Sequence, residues 1–328
     1  MKYKKIFVTG SGGFIGSHLV DKLLTEGYSV TALIKYNSNN DWGFLNKYKL
    51  DLNRNLKVVL GDVRDLPQMT YLIKGSDVVI HLAALIGIPY SYNAYNSYFD
   101  TNLTGTLNIL KSSIDNKIKR ILTFSTSEVY GTAKYTPIDE EHQLIAQSPY
   151  SASKIAADKI CESFILSFKT PITIVRPFNT FGPRQSMRAV IPDIINQIYS
   201  DKRYVELGNI KTRRDFVYVL DTVNGVLEIL NSNKTLYQTI NISSGKSHSI
   251  KEIYDKLKNI TNIEKKLILK KERVRPNKSE VLELLGSNKK IKSLTKWKII
   301  NNFNVSLSKT AHWNLKNKTY TRKITYTL

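Results

Sequence analysis

Lys5-Ile6-Phe7-Val8-Thr9-Gly10-Ser11-Gly12-Gly13-Phe14-Ile15-Gly16 is the stretch whose reading decides the fold. Its apolar opening reads as a buried strand, and a helical pattern begins at Ile15. The glycines between them permit a tight turn, close approach of the backbone to a pyrophosphate, and close packing of helix on strand. The helix start adds free N–H groups and a partial positive charge. Glycine falls at positions 10, 13 and 16 rather than in the G-x-G-x-x-G spacing. A ligand-free tight turn is the plainer reading of any glycine cluster, but a strand before it and a helix after it favour dinucleotide binding.

Outward from this loop, short β-branched runs alternate with longer helical patterns, which predicts an α/β fold with a doubly wound parallel sheet. Strands are expected near Lys5–Thr9, Ser29–Ile34, Leu56–Leu60, Asp77–Leu82, Ile121–Ser125, Ile172–Val175 and Thr239–Ile242. Helices are expected near Ile15–Glu26, Asn102–Asp115, Ala152–Phe168 and Val190–Tyr199. The alternation loosens after Pro177. We therefore expect a Rossmann-type domain over residues 1–180 plus about 212–245, interleaved with a smaller C-terminal α/β substrate domain over about 181–211 and 246–328. The basic end, Lys316 to Leu328, reads either as a strand or as a tail.

Ligands of open parallel sheets bind at the carboxyl ends of strands. Three further segments occupy such ends: Lys35-Tyr36-Asn37-Ser38, Gly61-Asp62-Val63 and His81-Leu82-Ala83-Ala84. After the second strand an acidic residue would hold a free ribose 2′-hydroxyl and a basic one a 2′-phosphate. Here stands Lys35, with no carboxylate until Asp41. The charge argument favours NADP over NAD, against the plain alternative of a surface loop that carries a lysine.

Composition narrows the rest. The 328 residues include a single cysteine, Cys161, which excludes an internal disulfide and a multi-cysteine zinc site; no metal is expected. No apolar run approaches the roughly 20 residues of a membrane span, and the N-terminus lacks a secretory pattern, so the expected location is the cytoplasm. The formal net charge of +22 raises nucleic acid as a partner, but the lysines are diffuse and without an aromatic reading stripe. A solvated surface that attracts an anionic substrate is the better account, with no nucleic acid and no membrane as partners.

Two motifs carry chemistry. Ser125-Thr126-Ser127-Glu128-Val129-Tyr130-Gly131 ends the fifth strand, and Tyr150-Ser151-Ala152-Ser153-Lys154 opens a helix. Tyr150 and Lys154 share one helical face, where an ammonium can lower a phenol's pKa and make it a base toward a sugar hydroxyl. Tyr130/Lys134 and Tyr254/Lys258 have the same spacing in a chain with 19 tyrosines, but only Tyr150/Lys154 follows a nucleotide loop and a hydroxyl-bearing strand end in order.

With these motifs the chain resembles the extended short-chain dehydrogenase/reductases of the nucleotide-sugar epimerase/dehydratase group. Asn102-Leu103-Thr104-Gly105-Thr106, Arg176 through Gln185, Arg214-Asp215-Phe216-Val217-Tyr218-Val219, Asn241-Ile242-Ser243-Ser244-Gly245 and Arg275-Pro276 extend the likeness over nearly the whole chain. The resemblance implies cofactor contacts from Gly10, Gly13, Phe14, Ile15, Gly16, Lys35, Asn37, Ser38, Asp62, Val63, Leu82, Ala83, Ala84, Asn102, Tyr150 and Lys154. It implies substrate contacts from Asn179, Arg214 and Arg275 on the nucleotide, with Val190 near the base. Arginine suits such positions because its fork meets phosphate in a bidentate manner. It also implies a homodimer or homotetramer pairing through helices such as Asn102–Asp115 and Ala152–Phe168, and a tightly held NAD(P)+ that is recycled.

Within the group, Glu128 points to the 4,6-dehydratases, since simple epimerases carry a small or hydroxyl residue there. The implied reaction is oxidation at C4, water loss across C5 and C6 with Glu128 as base, and reduction at C6. Thr126 would bond the reacting hydroxyl and Ser127 would sit near the departing one. Thr126-Ser127-Glu128 is similar to the GDP-mannose dehydratases, where dTDP-glucose dehydratases have aspartate in place of Ser127. Tyr36-Asn37-Ser38, Ala84 through Tyr92, Gln185 through Pro192 and Arg275 through Glu280 resemble the GDP-N-acetylglucosamine 4,6-dehydratases of legionaminic acid biosynthesis. A UDP-glucuronate decarboxylase shares Thr-Ser-Glu but not the segment Tyr135-Thr136-Pro137-Ile138-Asp139-Glu140 found here. A 4-epimerase lacks the glutamate, and a non-catalytic NADP(H) sensor would not need Thr126, Glu128, Tyr150 and Lys154 together. In the plainest reading, Glu128 only caps a turn.

Overall fold

A computed structural model describes residues 2–50, 53–274 and 279–317. The first strand, β1 (Lys5–Thr9), runs through the glycine turn into α1 (Phe14–Thr25), followed by β2 (Ser29–Lys35) and β3 (Leu56–Gly61). Next come α2 (Leu66–Ile73), β4 (Val78–His81), the short α3 (Ile88–Ser91) and α4 (Tyr95–Tyr98), then α5 (Gly105–Asp115) and β5 (Arg120–Phe124). The long α6 (Pro149–Phe168) leads to β6 (Ile172–Pro177). These strands and β10 (Thr239–Ile242) form one seven-stranded sheet, ordered β10-β6-β5-β4-β1-β2-β3 and parallel throughout. The expected doubly wound sheet is the observed one.

Its strands are apolar on both faces because helices cover both. Ile6 and Val8 pack with Leu19, Val20 and Leu23 of α1, while Phe7 between them packs on the other side with Ile109, Leu110 and Cys161. Cys161 thus belongs to the core, its thiol pushed up to about 12 by burial. Strand order reverses between β1 and β4, which opens the crevice where such sheets hold ligands.

The remaining elements are β7 (Asn179–Phe181), α7 (Val190–Tyr199), β8 (Tyr204–Leu207), β9 (Arg213–Tyr218), α8 (Val219–Asn231), β11 (Ser247–Ser249), α9 (Ile250–Thr261), β12 (Lys266–Leu269), β13 (Glu283–Leu284), α10 (Lys289–Leu294) and α11 (Phe303–Lys316). β11-β9-β13 with β7, and the pair β12-β8, make two small sheets. Asp215 of β9 ties the first of them to the large one. Its carboxylate accepts from Ser244 N and Oγ, Gly245 N and Gly286 N at 2.6–3.2 Å, while burial lifts it to about 6. Trp297 is buried with its indole N–H on the Asp221 carbonyl at 2.9 Å. Lys316 closes α11, and residues 318–328 of the expected strand or tail lie outside the described residues.

Candidate active site

Gly10 and Gly16 of the first turn are required by space. Gly10 has φ +67°, and a Cβ there would lie 2.8 Å from Ala83 N; a Cβ on Gly16 would lie 2.2 Å from Gly10 O. A Cβ on Gly13 meets nothing closer than Gly10 O at 3.3 Å, so that glycine keeps the cleft side of the turn open.

Behind the turn, Thr9 Oγ1 accepts from the Leu82 and Ala83 amides at 3.1 and 3.0 Å and lies 2.8 Å from His81 Nδ1. With two donors already arriving, the Thr9 hydroxyl gives its own proton to His81. Nε2 therefore carries the ring proton toward Thr106 Oγ1 at 3.1 Å. Burial first, and then the charge of Lys154, lowers His81 to about 3, so the ring is neutral. This neutral chain fixes the ends of β1 and β4 against each other. Sequence reading missed it, although Thr9 and His81 both stand at strand ends.

A cleft of about 1790 Å³ opens over these ends. Single-ligand pockets measure roughly 300–1,000 Å³, so there is room for a dinucleotide and a second ligand together. Gly10, Gly13, Phe14, Ile15 and Gly16 line it at the turn, with Lys35, Asp62 and Val63 from β2 and β3, and Leu82, Ala83 and Ala84 after β4. This open, N–H-rich turn fits a dinucleotide. Asp62 is held by Arg64 through two bonds of 2.9 and 2.6 Å.

Three expected cofactor residues do not line the cleft. Asn37 is spent on its own loop, bonding Lys35 O, Asp41 O and Asp41 N at 2.7–3.1 Å, and Ser38 lies beside it. Asn102 is buried and clasps Leu85 through both backbone groups at 2.8 and 3.0 Å, with Ser153 Oγ as a further partner. It shapes the wall from behind. Asp41, from the β2 loop, does line the cleft, its Oδ1 engaged by Gly43 N and Asn46.

At the centre of the cleft stand Thr126, Ser127, Glu128, Tyr150 and Lys154. The Thr126 hydroxyl oxygen accepts the Glu128 amide at 3.2 Å, so Thr126, not Glu128, caps the turn Ser127–Tyr130. That overturns the capping reading of Glu128 and leaves its half-buried carboxylate on the cleft. Ser148 fixes the other motif: it caps α6 in a reciprocal box with Ser151, and Pro149 supplies a first-turn residue that needs no N–H partner. Tyr150 and Lys154 then lie one turn apart, both buried, with Tyr98 edge-on to Tyr150 at 6.1 Å.

Lys154 Nζ donates to Phe124 O at 2.6 Å. Burial first, then the charges of Glu128, Tyr98 and Asp158, raises the Tyr150 phenol, and its hydrogen bond with Thr126 pulls the other way. The lowering expected from Lys154 does not prevail here: burial of the phenol is the largest cause acting on it, and burial lowers the amine as well.

On the far wall Asn179, Val190 and Arg214 line the cleft. Asn179 Oδ1 is buried without a partner among the described residues, an acceptor open to a ligand. Arg214 donates to Arg213 O at 2.9 Å and stands 3.7 Å from Glu280. Arg275 lies outside the described residues. Arg188, Lys271 and Arg273 also face the cleft, cations whose positions no sequence spacing distinguished from the other lysines and arginines. Among the described residues no cluster could hold a metal ion, and no helix is long and apolar enough to cross a membrane.

The family profile described as GDP-mannose 4,6 dehydratase matches residues 7–310. The chain belongs to this family. As a member it falls among the nucleotide-sugar-modifying, NAD(P)-dependent extended short-chain dehydrogenase/reductases. It is 30% identical over 273 residues to the UDP-N-acetyl-alpha-D-glucosaminuronate decarboxylase of Bacillus cytotoxicus, covering 81% of this chain and 83% of the relative. It is 31% identical over 321 residues to a putative UDP-glucose 4-epimerase of Methanocaldococcus jannaschii, covering 96% and 100%. Among solved structures, the UDP-glucuronic acid 4-epimerase of Bacillus cereus, bound to a fluorinated UDP-glucuronic acid and NAD, superposes with a TM-score of 0.87 at 26% identity, covering 95% of this chain and 99% of that one. These relatives of the family member carry different reaction names, so its reaction must be argued from its own residues.

Proposed function

We propose that this chain is a GDP-N-acetylglucosamine 4,6-dehydratase, forming GDP-4-keto-6-deoxy-N-acetylglucosamine. The observation that carries the reading is the Glu128 carboxylate on the cleft, its backbone amide held by the Thr126 hydroxyl that also bonds the phenol of Tyr150.

A bound oxidised nicotinamide supplies a hydride acceptor that can give the hydride back, and brings a positive charge into the cleft. Tyr150 takes the proton of the 4-hydroxyl as C4 becomes a ketone, with Thr126 bonding the same oxygen. The ketone acidifies C5–H, and Glu128 takes that proton. The C6 hydroxyl leaves as water, with Ser127 beside it and the Glu128 proton available to it. Reduction at C6 and protonation at C5 complete a 4-keto-6-deoxy sugar: one water is lost and there is no net redox change.

The guanine and acetamido assignments rest on the sequence resemblance around Tyr36–Ser38, Ala84–Tyr92 and Gln185–Pro192. Lys35 on the cleft supports NADP over NAD, since the Asp41 carboxylate is occupied in closing its own loop. Titration with both cofactors checks this: tighter NAD binding would reverse the preference. Residues about 181–211 and 246–328, which carry α7, β8, α9 and β12, are read as the substrate domain; β9, from the segment read as Rossmann, pairs with its β11 and β13. The exposed Leu107, Ile114, Leu166 and Phe168 of α5 and α6 suit pairing into a homodimer or homotetramer.

Incubation with GDP-N-acetylglucosamine, UDP-N-acetylglucosamine, GDP-mannose and UDP-glucuronate, followed by mass spectrometry and proton NMR, tests the reading. Loss of one water and a new C6 methyl signal from the first is the expected result. Carbon dioxide from UDP-glucuronate would favour the decarboxylase reading, which the likeness to the Bacillus cytotoxicus enzyme makes the second choice.

A further inference from the structure

Tyr150, Lys154 and Asp158 stand at successive turns on one face of α6, all buried, and the third has no part in the reaction above. Asp158 Oδ2 accepts from Ser125 Oγ at 2.8 Å and from Arg176 Nε at 3.0 Å, with Arg176 Nη2 also at 3.0 Å. Arg176 Nη1 donates to the Tyr130 hydroxyl at 3.1 Å, which in turn donates to Asn241 Oδ1 at 2.7 Å. The carboxylate is locked from behind by the large sheet. Among the described residues Lys154 Nζ donates to a neutral acceptor, Phe124 O. An ammonium buried without a counter-charge tends to lose its proton, and the carboxylate acting on this one is Asp158.

We propose that Asp158 is a positioning residue: its carboxylate, bonded by Arg176 and Ser125, keeps the Lys154 amine in the charged form that lets Tyr150 give up its proton. This rests on the proton-accepting role given to Tyr150 above.

Two effects of opposite sign separate this from a simple field effect. Taken alone, the Asp158 charge raises the phenol, so removing it should ease ionisation of Tyr150. Acting through Lys154, its removal should make that ionisation harder. The groups facing these three are Glu128 and Thr126 from the turn after β5, Tyr98 from α4, His81 from β4, Cys161 from α6 and Arg176 from β6.

The test is Asp158→Asn in the full chain, read in two ways. In protein labelled with 13Cε-lysine, the Lys154 resonance is identified by its loss in Lys154→Arg and titrated with pH. Its midpoint is expected to fall by about one pH unit or more in Asp158→Asn and to recover in part in Asp158→Glu. With the nucleotide sugar that the unmodified chain turns over, the acid limb of kcat is expected to move to higher pH while KM holds. An unchanged Lys154 midpoint overturns the proposal, as does a limb that moves to lower pH or a profile that drops uniformly. If Asp158→Asn does not fold, Ser125→Ala removes one donor from the carboxylate and should move the Lys154 midpoint the same way by less; no movement overturns it. The lysine titration needs no substrate, so it stands apart from whether the dehydratase reading holds.

Discussion

The Thr126 hydroxyl oxygen accepts the backbone amide of Glu128 at 3.2 Å, so one side chain sets the position of the carboxylate's own backbone while bonding the phenol of Tyr150. The backbone of the proposed base for C5 and the phenol proposed as base for the 4-hydroxyl thereby share one hydroxyl. Substitutions around it should separate the steps of the reaction rather than remove all of them together.

Glu128→Gln keeps the size of the side chain and removes its ability to take a proton. Oxidation at C4 should persist, and release of water should slow by about 10²–10⁴-fold, the usual contribution of a positioned base. The check is single-turnover absorbance of reduced nicotinamide, which should rise and stay high in this variant, together with mass spectrometry for the dehydrated product. Full dehydration at an unchanged rate would remove Glu128 from the mechanism.

The same variant makes a prediction about pH. Burial is the largest cause of the raised Tyr150 phenol, and the Glu128 charge adds to it. Replacing that charge with a neutral amide lets the phenol ionise more readily, so the acid limb of C4 oxidation should move to lower pH in Glu128→Gln. Thr126→Val removes a hydrogen bond that favours the phenolate, and its limb should move to higher pH. Single-turnover rates across pH decide both signs, and equal movement in the two variants would contradict the arrangement.

Gly13 and Gly16 differ in what an added methyl would meet. Gly16→Ala drives a Cβ to 2.2 Å from the Gly10 carbonyl and should disturb the turn itself, lowering the thermal midpoint. Gly13→Ala meets only Gly10 O, at 3.3 Å, a tight contact that a shift of a few tenths of an ångström relieves. It should melt close to the parent chain yet bind NADP and NAD at least about tenfold more weakly, a loss of about 1.4 kcal/mol. Calorimetric titration beside thermal melting separates the two effects.

Much of this was legible in the sequence because backbone and periodicity carry it. The strand before Gly10 and the helix after it follow from a β-branched run and a 3.6-residue pattern, and β10 at Thr239–Ile242 was readable although about sixty residues separate it from β6. Elements whose pairing is tertiary were not: β9 and β13 depend on Asp215 and on each other. In the site, spacing singled out Tyr150 and Lys154, both buried and lining the cleft. Asp158 stands at the next turn of the same face, where a carboxylate among buried positions was a signal left unused. Asn37 and Asn102 were expected at the cofactor but serve the chain, because an amide side chain close to a free backbone pair is satisfied locally.

Acid stability should carry the mark of His81. Its folded pKa is depressed to about 3, chiefly by burial, against an ordinary value of 6.5. The unfolded chain therefore binds a proton that the folded chain refuses, so the contribution is fully present above about pH 6.5 and is lost as pH falls toward 3, at about 1.4 kcal/mol per pH unit. His18, lowered to about 4 by burial and by Arg184, acts in the same direction. Asp215, raised to about 6, acts in the opposite one between about pH 6 and 4, so the total slope is shallower than the histidines alone would give. A difference between variants isolates the term. His81→Gln keeps a donor and an acceptor but cannot be protonated. It should be less stable than the parent at pH 7, and the gap should narrow on going to pH 5. Thermal melting of both chains at each pH reads the gap, and a gap that stays constant would mean that His81 is not the neutral, buried link between Thr9 and Thr106.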